Sequence, residues 1–176
     1  MIDSNYFELF DIPVNLKIDA GQLKRIFFTK SREFHPDYFT QASADEQDYA
    51  LAMTSLLNQA YATLGDPKKR LAYFLVENKI DIKGNAQALP QMFLFEMMDL
   101  NETIEGCKTT EEFEKVSKTI TELEQSFEAE VKPLLEADDL RIIPDEDLEA
   151  LKLYHLKSKY LVRLRETLER TNQTND

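Results

Sequence analysis

Apolar residues recur every three or four positions along most of the chain, and this spacing predicts an all-α protein. Glycine is scarce, and no stretch alternates apolar and polar residues over a useful strand length. In the N-terminal part the spacing predicts four helices, over residues 6–10, 19–34, 43–64 and from 66 onward.

Capping signals mark the starts of these helices. Asp19 is a plausible N-cap with Gln22 three residues on, and Ser43-x-x-Glu46 is a capping box. Gly65 is suited to ending the third helix, after which Asp66 caps a fourth helix whose first residue is Pro67.

The second half of the chain carries three longer periodic segments, over residues 89–106, 110–136 and 145–171. Thr109-x-x-Glu112 is a start signal for the middle one, and Pro133 is expected to kink that helix or end it early. Three long antiparallel helices would form a small bundle.

These patterns predict two domains, residues 1–76 and 89–176, joined by a linker over 77–88 that contains Gly84 and Asn85. The formal charge supports the division, since residues 1–76 carry a net charge of −2 and the remainder carries −10. Two units of such different charge are expected to have different partners.

The composition disfavours several classes of function. A formal net charge of −12 argues against non-specific binding to nucleic acid or to an anionic membrane. No apolar run approaches the roughly 18–20 residues of a membrane span. The N-terminal residues lack the features of a signal or transit peptide, which predicts a cytoplasmic protein.

Metal and cofactor sites are also not expected. Cys107 is the only cysteine, so no internal disulfide is possible and a reducing compartment is favoured. Cys107, His35 and His155 are too widely separated to suggest metal ligands, and the chain has no glycine-rich phosphate loop. We therefore predict neither a metal nor a cofactor.

The tripeptide His35-Pro36-Asp37 lies between two amphipathic helices. In isolation such a tripeptide is most simply a loop in which proline ends a helix. As a binding element, His35 could donate a hydrogen bond and Asp37 could pair with a basic group, with Pro36 fixing their orientation. An alternative role for His35 as a general base has no neighbouring nucleophile or catalytic carboxylate pair to support it.

The helix before the tripeptide is basic although the protein as a whole is acidic. Lys24, Arg25, Lys30 and Arg32 are its cationic residues. Single basic residues usually only solubilise a helix, but a positive patch on a negative protein can also steer it toward a negatively charged partner.

Together these features resemble a J-domain over residues 1–76. The matching motifs, in order, are Tyr6-Phe7-Glu8-Leu9-Phe10, the basic helix, His35-Pro36-Asp37, Asn58-Gln59-Ala60-Tyr61 and Asp66-Pro67-Lys68-Lys69-Arg70. The resemblance implies an antiparallel helical hairpin with two short helices and the tripeptide at its tip. It also implies docking on an ATP-bound chaperone of the DnaK/HscA type, whose ATPase such domains stimulate without being enzymes themselves.

The helix that opens the second half has two apolar faces. Its core stripe is predicted to consist of Phe93, Met97, Leu100 and Ile104. A second face carries Leu94, Phe95 and Met98 beside acidic residues, which is typical of a protein interaction site. The alternative is that these three residues pack against the first domain or the linker.

The segment Phe93-Leu94-Phe95-Glu96-Met97-Met98-Asp99-Leu100-Asn101-Glu102 is similar to the HscB family of J-type co-chaperones of iron–sulfur cluster assembly. In that family the apolar and acidic face binds a scaffold protein of the IscU type. The resemblance implies that the scaffold-binding residues here are Leu94, Phe95, Met98, Asp99, Glu102 and Tyr154. Phe95 and Asp99 depart from a more usual Met and Glu, and Gly106 replaces a further acid. A J-domain protein with another client is the alternative.

Overall fold

The computed structural model describes residues 5–83 and 89–175. Within these ranges every regular element is helical, which confirms the predicted all-α class. The elements are α1 (Tyr6–Leu9), α2 (Ala20–Glu33), a 3-10 helix (Pro36–Phe39), α3 (Ala44–Leu64), α4 (Pro67–Glu77), α5 (Gln91–Gly106), α6 (Thr110–Leu135) and α7 (Asp145–Asn175).

The chain forms two compact units. The first contains Met1–Asn78 together with Leu135–Ile143, and the second contains Lys79–Leu134 together with Pro144–Asp176. Of the predicted linker over 77–88, residues 84–88 lie outside the described residues, as does Asp176.

The predicted caps are present in the N-terminal unit. The Asp19 side chain accepts a hydrogen bond from the Gln22 backbone N–H and begins α2. Ser43 and Glu46 form a reciprocal capping box at the start of α3. Asp66 accepts from the two amides that follow Pro67, at 2.8 and 3.1 Å. Each cap satisfies amides that the helix itself leaves unpaired, and this fixes where each helix begins.

The core of this unit lies between α2 and α3, with α1 packed against it. Its fully buried side chains include Phe7, Phe10, Leu23 and Leu57. Burying each such side chain stabilises the fold by about 1.5–3 kcal/mol. The hairpin that carries the tripeptide therefore has a well-packed base.

A buried arginine closes the turn between α3 and α4. Arg70 is only 6% exposed, and its Nη1 donates to the carbonyl oxygen of Leu64 at the end of α3. Burial lowers the pKa of the Arg70 guanidinium, while Asp66 acts in the opposite direction. A Cβ at Gly65 would lie 2.9 Å from the Tyr61 carbonyl oxygen, so any larger residue there would force the backbone to shift.

The connection between α6 and α7 also belongs to the N-terminal unit. The Leu140 backbone N–H donates to the Val14 carbonyl oxygen at 2.6 Å, and the Asn15 side-chain amide donates to the Asp138 carbonyl oxygen at 3.2 Å. Leu140 itself is buried. These contacts join segments more than 120 residues apart in sequence.

The second unit is a bundle built from α5, α6 and α7. Phe93, Met97 and Ile104 are buried as predicted, while Leu100 is half-buried against the same core. Arg165 of α7 forms a two-pronged ion pair with Glu124 of α6, at 3.1 and 2.6 Å.

Pro133 lies in the last turn of α6, and the helix ends two residues later. Within the described residues, no helix is both long enough and apolar enough to cross a membrane.

Candidate functional site

The tripeptide forms a compact, exposed corner after α2. His35 is the N-cap of the 3-10 helix, and Pro36 is that helix's first residue. The His35 Nδ1 atom accepts a hydrogen bond from the Asp37 backbone N–H at 3.3 Å, and the Asp37 Oδ2 atom lies 3.5 Å from the same nitrogen. The two side chains are 55% and 83% exposed.

This geometry fixes what the corner presents to a partner. In the neutral tautomer that fits this hydrogen bond, Nδ1 carries no proton and Nε2 is assigned the N–H group that can donate to a partner. The Asp37 carboxylate is an acceptor and a negative charge. The pair therefore offers one donor and one anion side by side, held by the fixed backbone dihedral of Pro36.

Two contacts anchor this corner to the helical hairpin. The Thr54 hydroxyl of α3 donates to the Phe34 carbonyl oxygen at 2.9 Å. The Phe34 ring packs edge-on against Tyr49 of α3, with centroids 6.0 Å apart. Because Phe34 directly precedes His35, these contacts hold the start of the tripeptide in place.

Three of the four predicted basic residues share one exposed surface of α2. On a helix that advances about 100° per residue, Lys24, Arg25 and Arg32 fall within an arc of about 100°. All three are exposed. We call this surface, together with Phe28, the cationic face.

Phe28 is the residue on this face that the sequence analysis missed. Its side chain is 54% exposed, and the Lys24 Nζ lies 5.9 Å from the centre of its ring. The available signal was the pair Phe27-Phe28, since adjacent helix positions cannot both face one core. Phe27 packs inward, with its ring stacked on Tyr61 at 4.3 Å.

Lys30 is not part of the cationic face. It lies on another side of α2, and its Nζ is 2.7 Å from the Asp11 Oδ2 atom. Its side chain is 24% exposed, whereas that of Asp11 is 79% exposed. Lys30 therefore serves a contact within the N-terminal unit.

The outward side of α5 carries the predicted apolar and acidic residues. Phe95 and Met98 are each 59% exposed, and Asp99 and Glu102 are exposed beside them. Leu94 is half-buried and packs against the bundle core. We call these five residues the α5 face.

Tyr154 of α7 has a different environment. It is half-buried against the bundle core, and Ser158, one turn further along α7, acts on its hydroxyl. Its pKa is raised, first by burial and then by Glu128 and Glu124 of α6. The groups that act on its hydroxyl thus belong to α6 and α7.

Candidate metal ligands are scattered. Within residues 5–83 and 89–175, no three His, Cys, Asp or Glu side chains are grouped so that they could hold a metal ion. His155 is half-buried, and its pKa is lowered by burial and by Lys159. Cys107 is buried, and burial raises the pKa of its thiol.

Comparison with known proteins identifies the relatives of this chain. Residues 89–169 match the model of the HSCB C-terminal oligomerisation domain. A relative named co-chaperone protein HscB homolog, from Photobacterium profundum, is 31% identical over 175 residues, which is 97% of this chain and 98% of the relative. This chain belongs to the HscB family of co-chaperones.

Solved structures of HscB share the fold. The chaperone HscB from Vibrio cholerae superimposes with a TM-score of 0.71 at 27% identity, covering 98% of this chain and all of that one. The human co-chaperone HscB gives a TM-score of 0.79 at 24% identity, covering 98% of this chain and 84% of that one. The all-helical fold of this chain is therefore that of the HscB structures.

Proposed function

We propose that this chain is a J-type co-chaperone that stimulates the ATPase of a DnaK/HscA-type chaperone and delivers an IscU-type iron–sulfur scaffold protein to it. Residues 1–76 would act as the J-domain, 89–176 as the scaffold-binding domain and 77–88 as their linker, in the cytoplasm. The observation that carries the proposal is the exposed His35-Asp37 pair beside a cationic helix, in a member of the HscB family.

The chaperone-binding surface combines the tripeptide with the cationic face. Lys24, Arg25 and Arg32 provide steering toward an acidic surface, and such electrostatic complementarity increases association rates and fixes register. The His35 and Asp37 side chains supply directional contacts that are formed only in the complex. Lys30 was predicted to join this surface, but its ion pair with Asp11 favours a structural role. The protein itself would carry out no covalent chemistry.

The scaffold-binding surface is the α5 face. Exposed apolar side chains rimmed by carboxylates favour a partner with an apolar patch flanked by basic residues. The unbranched Met98 side chain can adapt to the contour of such a partner. Tyr154 is included from the family resemblance alone.

The chaperone half is tested by an ATPase assay with a matched charge control. Asp37→Asn removes the tripeptide carboxylate, whereas Asp45→Asn removes an exposed carboxylate from the first turn of α3. The wild type and Asp45→Asn should stimulate ATP hydrolysis equally. Asp37→Asn should need at least about thirtyfold more protein for half-maximal stimulation, since truncating one partner of a buried charged contact costs about 2–5 kcal/mol of binding. Equal stimulation by all three proteins would refute a role for the tripeptide.

The scaffold half is tested by calorimetric titration of the scaffold protein into the full chain. Phe95→Ala with Met98→Ala should weaken binding by at least about tenfold. Ile142→Ala truncates a residue that is 95% exposed and lies outside the α5 face, and it should bind as the wild type does. If the double variant bound normally, the scaffold would not dock on this face.

A further inference from the structure

The residue that follows the tripeptide carries an aromatic ring that lies against His35. Tyr38 is 73% exposed, yet its ring centre is 6.1 Å from that of the His35 imidazole, with the two ring planes at 69°. This edge-to-face arrangement is one that aromatic pairs favour. Tyr38 lies outside the cationic face, and the proposed function leaves it without a role.

The geometry of the 3-10 helix explains why these two rings meet. Its first turn is closed by a hydrogen bond from the Tyr38 backbone N–H to the His35 carbonyl oxygen, at 3.0 Å. A 3-10 helix has three residues per turn, so side chains three positions apart lie over one another. Because Pro36 begins this helix directly after its cap, His35, the side chain of Tyr38 falls beside the imidazole.

The orientation of the His35 ring gains from a second restraint. The hydrogen bond from the Asp37 backbone N–H to Nδ1 measures 3.3 Å, which is at the long end for a backbone amide donor. The His35 side chain is also more than half exposed, so water competes for its ring nitrogens. The Tyr38 ring adds a contact with the same imidazole and makes the hydrogen-bonded orientation more persistent.

The orientation of the imidazole decides which group a partner meets. The Asp37 Oδ2 atom lies 3.5 Å from Nδ1, so a proton on Nδ1 could be donated to this carboxylate. In that tautomer Nε2 would be an acceptor, and the corner would have lost its imidazole donor. When Nδ1 accepts from the Asp37 amide instead, Nε2 carries the proton. A contact that prevents the ring from turning away from the amide therefore favours the donor form.

We propose that Tyr38 is a positioning residue of the chaperone-binding surface, whose ring holds the His35 imidazole so that its Nε2–H group can donate to an acceptor on the chaperone. This proposal rests on the proposed function, because it concerns how the tripeptide is ordered for that partner. A side chain that is ordered before binding loses less conformational freedom in the complex. Tyr38 acts through His35 and requires no contact of its own with the chaperone.

The first measurement is made on the full chain without a partner. NMR of the imidazole nitrogens at about pH 8.5, where histidine side chains are neutral, reports which ring nitrogen carries the proton. The chain has two histidines, so His155 is the internal reference in every spectrum. Tyr38→Leu removes the aromatic ring but keeps an apolar side chain, whereas Tyr38→Phe keeps the ring and removes only the hydroxyl.

We expect His35 to be protonated mainly on Nε2 in the wild type and in Tyr38→Phe. In Tyr38→Leu the two His35 nitrogen resonances should move toward each other, because both tautomers become populated, while those of His155 stay unchanged. In the chaperone ATPase assay, Tyr38→Leu should need about three- to tenfold more protein for half-maximal stimulation, and Tyr38→Phe should retain wild-type behaviour. Both variants should unfold close to the wild-type urea concentration, since Tyr38 is exposed.

An unchanged His35 spectrum in Tyr38→Leu would overturn the proposal, and weaker stimulation by that same variant would then make Tyr38 a direct contact of the chaperone. Weaker stimulation by Tyr38→Phe would also overturn it, because the hydroxyl rather than the ring would matter. If Tyr38→Leu altered the spectrum but stimulated normally, the positioning role would be refuted and the proposed function would stand. If the wild type stimulated no chaperone, the proposed function would fail and the positioning role with it.

Discussion

The His35 imidazole and the Asp37 backbone amide are joined by a hydrogen bond of 3.3 Å that spans Pro36. The bond makes His35 the cap of the following 3-10 helix, and 55% of the His35 side chain is exposed. The tripeptide therefore does more than end α2. It forms a corner in which the orientation of His35 relative to Asp37 is fixed by this hydrogen bond. Its side chains lie outside the core, so their chemistry is available to a partner.

Replacing His35 should reduce stimulation of the chaperone ATPase without destabilising the fold. We expect His35→Gln to lose most stimulation of the chaperone ATPase, because the imidazole donor is displaced. The free energy of unfolding should change by less than about 1 kcal/mol, since the residue is exposed. Chaperone ATPase assays and urea denaturation measure the two quantities. A large loss of stability would instead make the tripeptide a structural element.

Phe28 should contribute to chaperone affinity in its own right, independently of the basic residues and the tripeptide. An exposed aromatic ring beside Lys24 has the character of an interface anchor, and its truncation typically costs about 1–2 kcal/mol of binding. Phe28→Ala should therefore raise the concentration needed for half-maximal ATPase stimulation by about tenfold. Leu51→Ala removes a comparably exposed apolar side chain from α3 and is the control. Equal behaviour of the two variants would exclude Phe28 from the interface.

Lys24 and Lys30 should behave differently although both are lysines of α2. Lys24→Met should slow association with the chaperone and reduce its dependence on salt, because the cationic face loses a charge. Lys30→Met should leave association unchanged and lower stability by at most about 1 kcal/mol, since its ion pair with Asp11 is partly exposed. Stopped-flow measurements at two salt concentrations give the association rates of the two variants, and thermal melts give their stabilities. If Lys30→Met associated more slowly than the wild type, and the difference depended on salt, Lys30 would belong to the chaperone-binding surface after all.

The capping carboxylate of α6 should make part of the stability depend on acid pH. Glu112 accepts hydrogen bonds from the Lys108 and Thr109 amides, and the bond from Lys108 is the main cause of its lowered pKa. A lowered pKa in the folded state means that the unfolded chain takes up the proton first as pH falls. The contribution is therefore complete above the ordinary pKa of 4.5 and disappears as pH falls through the lower folded value.

Glu112→Gln should accordingly melt below the wild type near neutral pH, and the gap should close in acid. Glu111→Gln alters the adjacent exposed carboxylate and should melt as the wild type does at every pH. Melting temperatures measured from pH 7 to about pH 3 decide the matter. A gap that stayed constant with pH would show that the Glu112 charge adds nothing to the cap.

Local signals were sufficient to predict the helix starts. Ser43, Asp66 and Thr109 each act through an amide two or three residues away, so a short window of sequence contains both partners. The same is true of the core stripe of α5, because helical periodicity alone determines which side chains share a face.

Contacts between distant segments were beyond sequence analysis. The ion pair of Lys30 with Asp11 depends on how the α1–α2 connection is placed against α2. The hydrogen bond from Leu140 to Val14 joins the α6–α7 connection to the N-terminal unit, and no local pattern indicates it.

The most direct test of the account is the steady-state ATPase rate of a DnaK/HscA-type chaperone with this protein and the scaffold protein, added separately and together. We expect stimulation by the wild type, a further increase when the scaffold is present, and neither effect with His35→Gln. The double variant Phe95→Ala with Met98→Ala should keep the first effect and lose the second. Stimulation that the scaffold does not change would contradict delivery of this client, and the absence of any stimulation would contradict the co-chaperone role itself.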